Sequence, residues 1–208
     1  MKRLTIEAVV FDLLTALLDS WSLWNRAAGS EADGLQWRRA YLELTYGCGA
    51  YRPYEDLVRE AAEVAGVPVS AAEALTAHWN TLRPWPEVPE VLGDLSARGI
   101  RLGVVTNCSI TLGRQAAERV GVPFSTVVTS EETGYYKPQP QSYRAALDQL
   151  GTDPARTLFV AGSPADIPGA AGVGMPVFWH NRAGLPFVAD TARPLLIADT
   201  LHPLRELV

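Results

Sequence analysis

The stretch Ala8-Val9-Val10-Phe11-Asp12-Leu13-Leu14-Thr15-Ala16-Leu17-Leu18-Asp19 decides how this chain is read. It opens as a continuous apolar run and stops at a carboxylate. Apolar runs of this length suit strands covered on both faces, as in a parallel sheet. The same form recurs outward along the chain. Residues 101–105 end at Thr106-Asn107, 126–128 near Thr129-Ser130, and 157–160 at Ala161-Gly162-Ser163. Residues 176–179 end at His180-Asn181, and 195–197 at Ala198-Asp199. Helical spacing fills the gaps over 88–98, 112–120, 141–150 and 164–173. This alternation predicts an α/β fold with a Rossmann-like, mostly parallel sheet.

Residues 20–83 break the pattern, because no strand run interrupts them. Leu35, Leu42 and Tyr46 fall on one helical face. Residues 54–64 and 70–82 also carry helical spacing, with Ser70 as N-cap. Pro84, Pro86 and Pro89 mark the return to the sheet. The expected organisation is therefore an α/β core over 1–15 and 84–208 with an inserted helical cap over 16–83.

Composition narrows the function classes. At 208 residues the chain suits one domain, or a core with one insert. A net charge of −5 gives no electrostatic footprint for nucleic acid. Its apolar runs fall far short of the roughly 20 residues that span a bilayer, so no membrane partner is expected. The opening residues 1–7 carry an acid before any long apolar stretch and read as a lead into the first strand, not a secretory signal. Two cysteines make neither a disulfide framework nor a four-ligand zinc site, which fits a cytoplasmic location. Lysine occurs only at Lys2 and Lys137, so Lys137 stands out.

In an open parallel sheet, ligands bind at the carboxyl ends of the strands. Asp12, Thr106 with Asn107, Lys137, and Ser163 with Asp166 are the polar groups expected there. Any one of them alone reads as turn or capping chemistry. Taken in order, they resemble the motifs of the haloacid dehalogenase superfamily of hydrolases. Phe11-Asp12 with Leu13 to Asp19 is similar to the first motif, Val104-Val105-Thr106-Asn107 to the second, and Tyr136-Lys137-Pro138 to the third. The segment from Phe159 to Asp166, followed by Gly169-Ala170, is similar to the fourth. The resemblance covers nearly the whole chain and implies that Asp12 is a nucleophile.

The departures choose between branches. Phosphatases of the superfamily carry a second Asp two residues after the nucleophile, to protonate the leaving alkoxide; this chain has Leu14. They bring a motif-four acid to a magnesium ion; this chain has Ala161-Gly162-Ser163, and only Asp166 remains. A halide leaves as a stable anion and needs neither part. The chain resembles the L-2-haloacid dehalogenases further at Asp19, at Trp37-Arg38 with Leu42-Glu43 and Thr45, at Tyr143, and from Phe178-Trp179 to Asn181-Arg182. It departs from them at Leu14, Ala16, Ala161, Ser163 and Ala165. Thr15 would supply the hydroxyl missing at position 16, one residue displaced.

The resemblance implies Asp12, Lys137, Asp166 and Arg38 as catalytic residues. Asp12 would form an ester that water hydrolyses, Lys137 would hold it ionised, and Arg38 would reach in from the cap. Thr106, Asn107, Ser163, Tyr143 and Thr15 would bind substrate, with a supporting or core role as the alternative for Tyr143. The implied partner is a small-molecule carboxylate, and the implied assembly a homodimer. No cofactor and no metal are expected. Magnesium belongs only to the alternative of a phosphatase; relatives that open small strained rings and a degenerate binding protein are further alternatives. His78, His180 and His202 lack metal-ligand spacing. Trp21, Trp24, Trp79 and Trp85 are expected to pack the cap or its junction, and Cys108 to be a small core residue.

Overall fold

The computed structural model describes residues 5–187 and 192–208. The first four residues of the expected lead-in strand, Lys2 among them, lie outside the described residues. Six strands form one sheet: β1 Ala8–Asp12, β2 Arg101–Thr106, β3 Thr126–Thr129, β4 Thr157–Ala161, β5 Val177–His180 and β6 Leu196–Ala198. Their order is β3-β2-β1-β4-β5-β6, and every neighbouring pair is parallel. The chain winds from β1 toward β3 on one side and from β4 toward β6 on the other. The direction reverses between β1 and β4, and a crevice opens there at the carboxyl ends. Register sets Asp12 beside Val105 and Phe11 beside Val160, so the motif-bearing ends finish level.

Both faces of the sheet are covered, which is why its strands read as unbroken apolar runs. Val9 and Phe11 point to one face, with Leu102, Val104, Leu158 and Val160. Helices α5 Val88–Ala97, α6 Ile110–Arg119 and α10 Leu204–Leu207 pack there. Ala8 and Val10 point to the other face, with Val105, Phe159, Ala161 and Trp179. Helices α8 Pro140–Leu150 and α9 Asp166–Gly172 cover that side. The period of two along β1 thus feeds two separate cores. A single turn, α7 Ser130–Thr133, follows β3.

Four helices lie between β1 and β2: α1 Ser20–Ala28, α2 Glu31–Gly47, α3 Tyr54–Ala65 and α4 Ser70–Ala77. The Asp19 carboxylate caps α1 by accepting from Ser22 N at 3.0 Å, and Ser30 caps α2 through Asp33 N at 3.1 Å. Helices α1 and α2 approach so closely at Gly34 that a Cβ there would overlap Asn25 Oδ1 and sit 2.7 Å from Asn25 Cα. A run of aromatic rings binds the insert together: Trp24 to Trp37 at 4.5 Å, Trp24 to Tyr41 at 5.5 Å, Tyr41 to Tyr54 at 5.5 Å and Tyr54 to Trp79 at 6.0 Å. Such pairs each contribute roughly 0.5–1.5 kcal/mol beyond area burial. Trp79 Nε1 then donates to Leu112 O on α6 at 2.9 Å. The two strands of chain at the base of the insert are tied by Asp19 N to Arg83 O at 2.9 Å and Trp85 N to Leu17 O at 3.0 Å.

Three expectations shift at their edges. Ser70 is the first residue of α4, not its cap, and no side chain caps that end. The helix expected over 70–82 stops at Ala77 and continues as a 3-10 turn, Trp79–Thr81, as Trp79 turns in toward α6. The Leu35, Leu42 and Tyr46 stripe is not the buried face of α2. That face carries Trp37, Ala40 and Tyr41, while Leu42 and Tyr46 face a cavity.

Candidate active site

The cavity lies at the carboxyl end of the sheet, between the strand ends and α2. Asp12, Leu14, Thr15, Asn107, Lys137, Ser163 and Asp166 line it from the core; Trp21, Arg38, Leu42 and Tyr46 line it from the helical insert. Its volume is about 80 Å³. A water molecule needs roughly 10–15 Å³, so the space suits a molecule of about half a dozen heavy atoms.

Asp12 ends β1 and is nearly buried. Its Oδ2 accepts from Thr15 N at 2.9 Å, Thr15 Oγ1 at 2.5 Å and Ala16 N at 3.2 Å. The turn after β1 therefore aims three donors at one oxygen. Oδ1 accepts from Lys137 Nζ at 2.7 Å and keeps lone-pair capacity toward the cavity. Lys137 Nζ also lies 3.2 Å from Asp166 Oδ1, so one ammonium bridges two carboxylates. Asn107 fixes this lysine through its backbone. Its Oδ1 accepts from Lys137 N at 2.8 Å, and its Nδ2 donates to Lys137 O at 3.1 Å.

Burial by itself would raise the pKa of Asp12. The charge and hydrogen bond of Lys137, with the bonds from Thr15, outweigh it and hold Asp12 below the usual carboxylate value. Burial would lower Lys137; Asp12 and Asp166 override it and raise the ammonium above its ordinary value. Asp166 is pushed up to about 6, mainly by burial, with the Asp12 charge adding and Lys137 opposing. The two carboxylates thus differ in basicity around one shared cation.

Arg38 comes from α2 and is buried. Its Nη1 donates to Ser20 Oγ at 3.1 Å, and its guanidinium lies 4.1 Å from the Trp21 ring centroid. Burial lowers its pKa, with the Asp12 charge opposing. Among the described residues it has no carboxylate in salt-bridge range. A buried cation without a counter-ion is costly unless an anion visits it.

Seven of the nine residues expected at the site line the cavity, and two do not. Thr106 is fully buried, and its Oγ1 turns to Cys108 Sγ at 3.4 Å. Alternation along β2 sends its side chain away from the cavity while Asn107 faces it. Tyr143 lies beneath Asp166, fully buried, with its hydroxyl 3.2 Å from Asp166 Oδ1 and its ring 5.1 Å from Phe159. Both corrections move a residue from substrate contact to support. The Asn107 amide is likewise committed to Lys137. Trp21 was expected to pack the insert, yet it lines the cavity. Tyr46, which no motif flagged, lines it beside Ser163; the apolar stripe on α2 was its only signal in the sequence. Trp24 and Trp79 are buried, and Trp85 Nε1 donates to Thr15 O at 3.1 Å. Cys108 is buried, with burial pushing its thiol up to about 12.

The donor set does not fit a magnesium ion. Leu14 offers no side-chain ligand, and Gly162 has no side chain. A Cβ at 162 would sit within van der Waals overlap of Thr15 Oγ1 and 2.5 Å from Ala16 N. Among the described residues, no group of three or more His, Cys, Asp or Glu could hold a metal.

Comparison with known proteins agrees with this geometry. A family profile described as haloacid dehalogenase-like hydrolase matches residues 6–174. Haloacetate dehalogenase H-2 of Moraxella sp. (strain B) is 29% identical over 198 residues, 88% of each chain. A crystal structure of an L-2-haloacid dehalogenase superposes with a TM-score of 0.87 at 28% identity, covering 97% of both chains. A phosphoserine phosphatase of Thermus thermophilus is 31% identical over 187 residues, 85% of this chain and 74% of its own.

Proposed function

This chain belongs to the haloacid dehalogenase-like hydrolase family, and from that premise we propose that it displaces a leaving group, in the first instance halide, from a short 2-substituted carboxylic acid without a metal. The observation that carries this reading is the contact between Gly162 and Thr15. It leaves no room for a side chain at position 162, so no further acid joins Asp166 from that loop, and Leu14 supplies no proton to a leaving alkoxide. A reaction whose leaving group needs neither a proton nor a metal fits that surrounding.

Asp12 Oδ1 is the attacking atom, since Oδ2 is saturated by three donors. Oδ1 attacks the substrate carbon, the carbon–halogen bond breaks, and the halide departs toward Arg38. The substrate carboxylate and the halide are both anions, which suits a buried guanidinium that has no carboxylate partner among the described residues. Lys137 keeps Asp12 ionised while Asn107 holds Lys137 in register. In the second step water attacks the acyl carbon of the new ester. Charge then develops on Oδ2, where the N–H groups of Thr15 and Ala16 and the Thr15 hydroxyl already point. Asp166 takes the proton from the water, and Tyr143 orients Asp166.

The division into a core over 1–15 and 84–208 and a cap over 16–83 belongs to this reading, as do a homodimer and a cytoplasmic location. Two free cysteines suit a reducing compartment, and no helix among the described residues is long and apolar enough to cross a membrane.

The deciding experiment is a panel of 2-haloacids and phosphate monoesters, each with and without chelator. Halide release that ignores chelator, with no phosphate release, is expected. Phosphate release that requires magnesium would reverse the assignment.

A further inference from the structure

We propose that Tyr46 is a positioning residue for ester hydrolysis: with Ser163 it holds the hydrolytic water against Asp166 Oδ2. The inference rests on the two-step reaction above and extends it to a residue of the helical insert.

The hydroxyls around the cavity are mostly committed. That of Thr15 donates to Asp12 Oδ2, and that of Tyr41 donates to Asn107 O at 3.0 Å. Ser163 Oγ accepts from Ala165 N at 3.3 Å, and its proton is not engaged in that bond. Tyr46 faces it from the insert wall, with its hydroxyl in hydrogen-bonding reach of Ser163 and close to the Asp166 charge. Burial, then Asp166, push the phenol up to about 12, so it stays protonated and able to donate at neutral pH. Asp166 is asymmetric in the matching way. Its Oδ1 takes both Lys137 Nζ and the Tyr143 hydroxyl. Its Oδ2 has no partner among the described residues, although Asp166 lines the cavity. One acceptor oxygen and two hydroxyls therefore converge where the two walls meet, a set of partners that suits a water molecule with two protons and two lone pairs.

The step balances as follows. The water oxygen bonds to the acyl carbon of Asp12, and one water proton passes to Asp166 Oδ2. The bond between that carbon and Oδ1 breaks, and Oδ1 leaves as the hydroxyl of the product with the proton from Asp166. Asp12 retains the water oxygen and sheds the second proton to solvent.

Rapid-quench kinetics with 2-bromopropanoate resolve the two steps. Tyr46→Phe is expected to release one bromide per active site at the wild-type rate. Its ester on Asp12, seen as a mass increase on the peptide carrying that residue, should then decay roughly tenfold or more slowly. Tyr46 is 40% exposed, so loss of the hydroxyl does not threaten the fold. Ser163→Ala should slow the same step, and the double variant should be slowed by less than the product of the two. Wild-type decay of the ester in Tyr46→Phe overturns the proposal, as does a slower bromide burst with unchanged decay. A wild-type protein that releases no bromide overturns instead the reaction on which the proposal rests.

Discussion

The two walls of the cavity are built on different principles. On the core wall, Asp12 at the end of β1, Lys137 in the loop before α8 and Asp166 at the start of α9 are locked by ion pairs of 2.7 and 3.2 Å. On the insert wall, Arg38 pairs with no carboxylate among the described residues and rests on Trp21, while Tyr46 and Leu42 present ring and methyl surface. Charge is fixed in place on one side and left open on the other. The core wall is thus suited to making and breaking a bond to its own carboxylate. The insert wall is suited to receiving what arrives and leaves.

The largest test of this contrast falls on the core wall. Asp12→Asn should abolish halide release, by roughly 10⁴-fold or more, as measured with a halide-sensitive assay. Residual turnover within tenfold of wild type would mean that bond-making does not belong to that wall. Lys137→Met leaves two buried carboxylates without their cation. Denaturant unfolding should show a loss of roughly 3–5 kcal/mol. On the insert wall, Arg38→Lys keeps the charge and loses the planar fork. A drop in kcat/KM of roughly 10–100-fold is expected, from hydrogen bonds to a charged group worth about 1.5–3 kcal/mol. Unfolding should barely change. If this variant proves as unstable as Lys137→Met, the contrast between the walls fails.

Acidity separates the steps more gently. Asp12 is held below its ordinary value of 3.8, whereas Asp166 is raised to about 6. At a pH of about 5, the nucleophile is ionised and most of the base is protonated. Bromide should still appear in a burst; esterification removes the Asp12 charge that helps to raise Asp166, so decay of the ester should slow only below a pH lower than about 6. The stability signs oppose one another. The lowered Asp12 contributes stability that is present above 3.8 and lost as pH falls through its folded value. The raised Asp166 costs stability as pH climbs from 3.8 to about 6. The two windows adjoin without overlapping, so in a denaturant series stability should fall as pH rises from 3.8 to about 6 and should fall again as pH drops below 3.8. The smallest effect is expected from Thr15→Val, which removes one of three donors to Oδ2 and should slow ester decay roughly tenfold.

The contrast also explains what the sequence made legible. A strand end is a one-dimensional signal: an apolar run, then a polar residue. Asp12, Ser163 and Asp166 could be found that way because the parallel sheet brings all such ends together, whereas Lys137 stood out as one of only two lysines. Thr106 shows the limit of the signal. It stands beside Asn107 in the same motif, but alternation turns one side chain to α6 and the other to the cavity, and the run alone does not say which. Helix faces are harder still. The stripe of Leu42 and Tyr46 has the spacing of a core face, and only the position of α2 over the crevice gives it another use. Trp21 looked like packing because aromatic residues in the insert mostly are packing, as Trp24, Trp37 and Trp79 are.

The contact at Gly162 constrains the history open to this chain. Giving position 162 a carboxylate, the change that would bring a metal ligand to the site, pushes a Cβ into Thr15 and the backbone of Ala16. Shrinking Thr15 first removes the hydroxyl that steadies Asp12 before anything replaces it. Even then the Ala16 nitrogen would lie 2.5 Å from the new Cβ, so the backbone of the turn after β1 must shift as well. A lineage that has taken this turn meets a ratchet. Gly162→Asp should give a destabilised protein with no phosphatase activity, and a smaller residue at Thr15 should restore little of the lost stability.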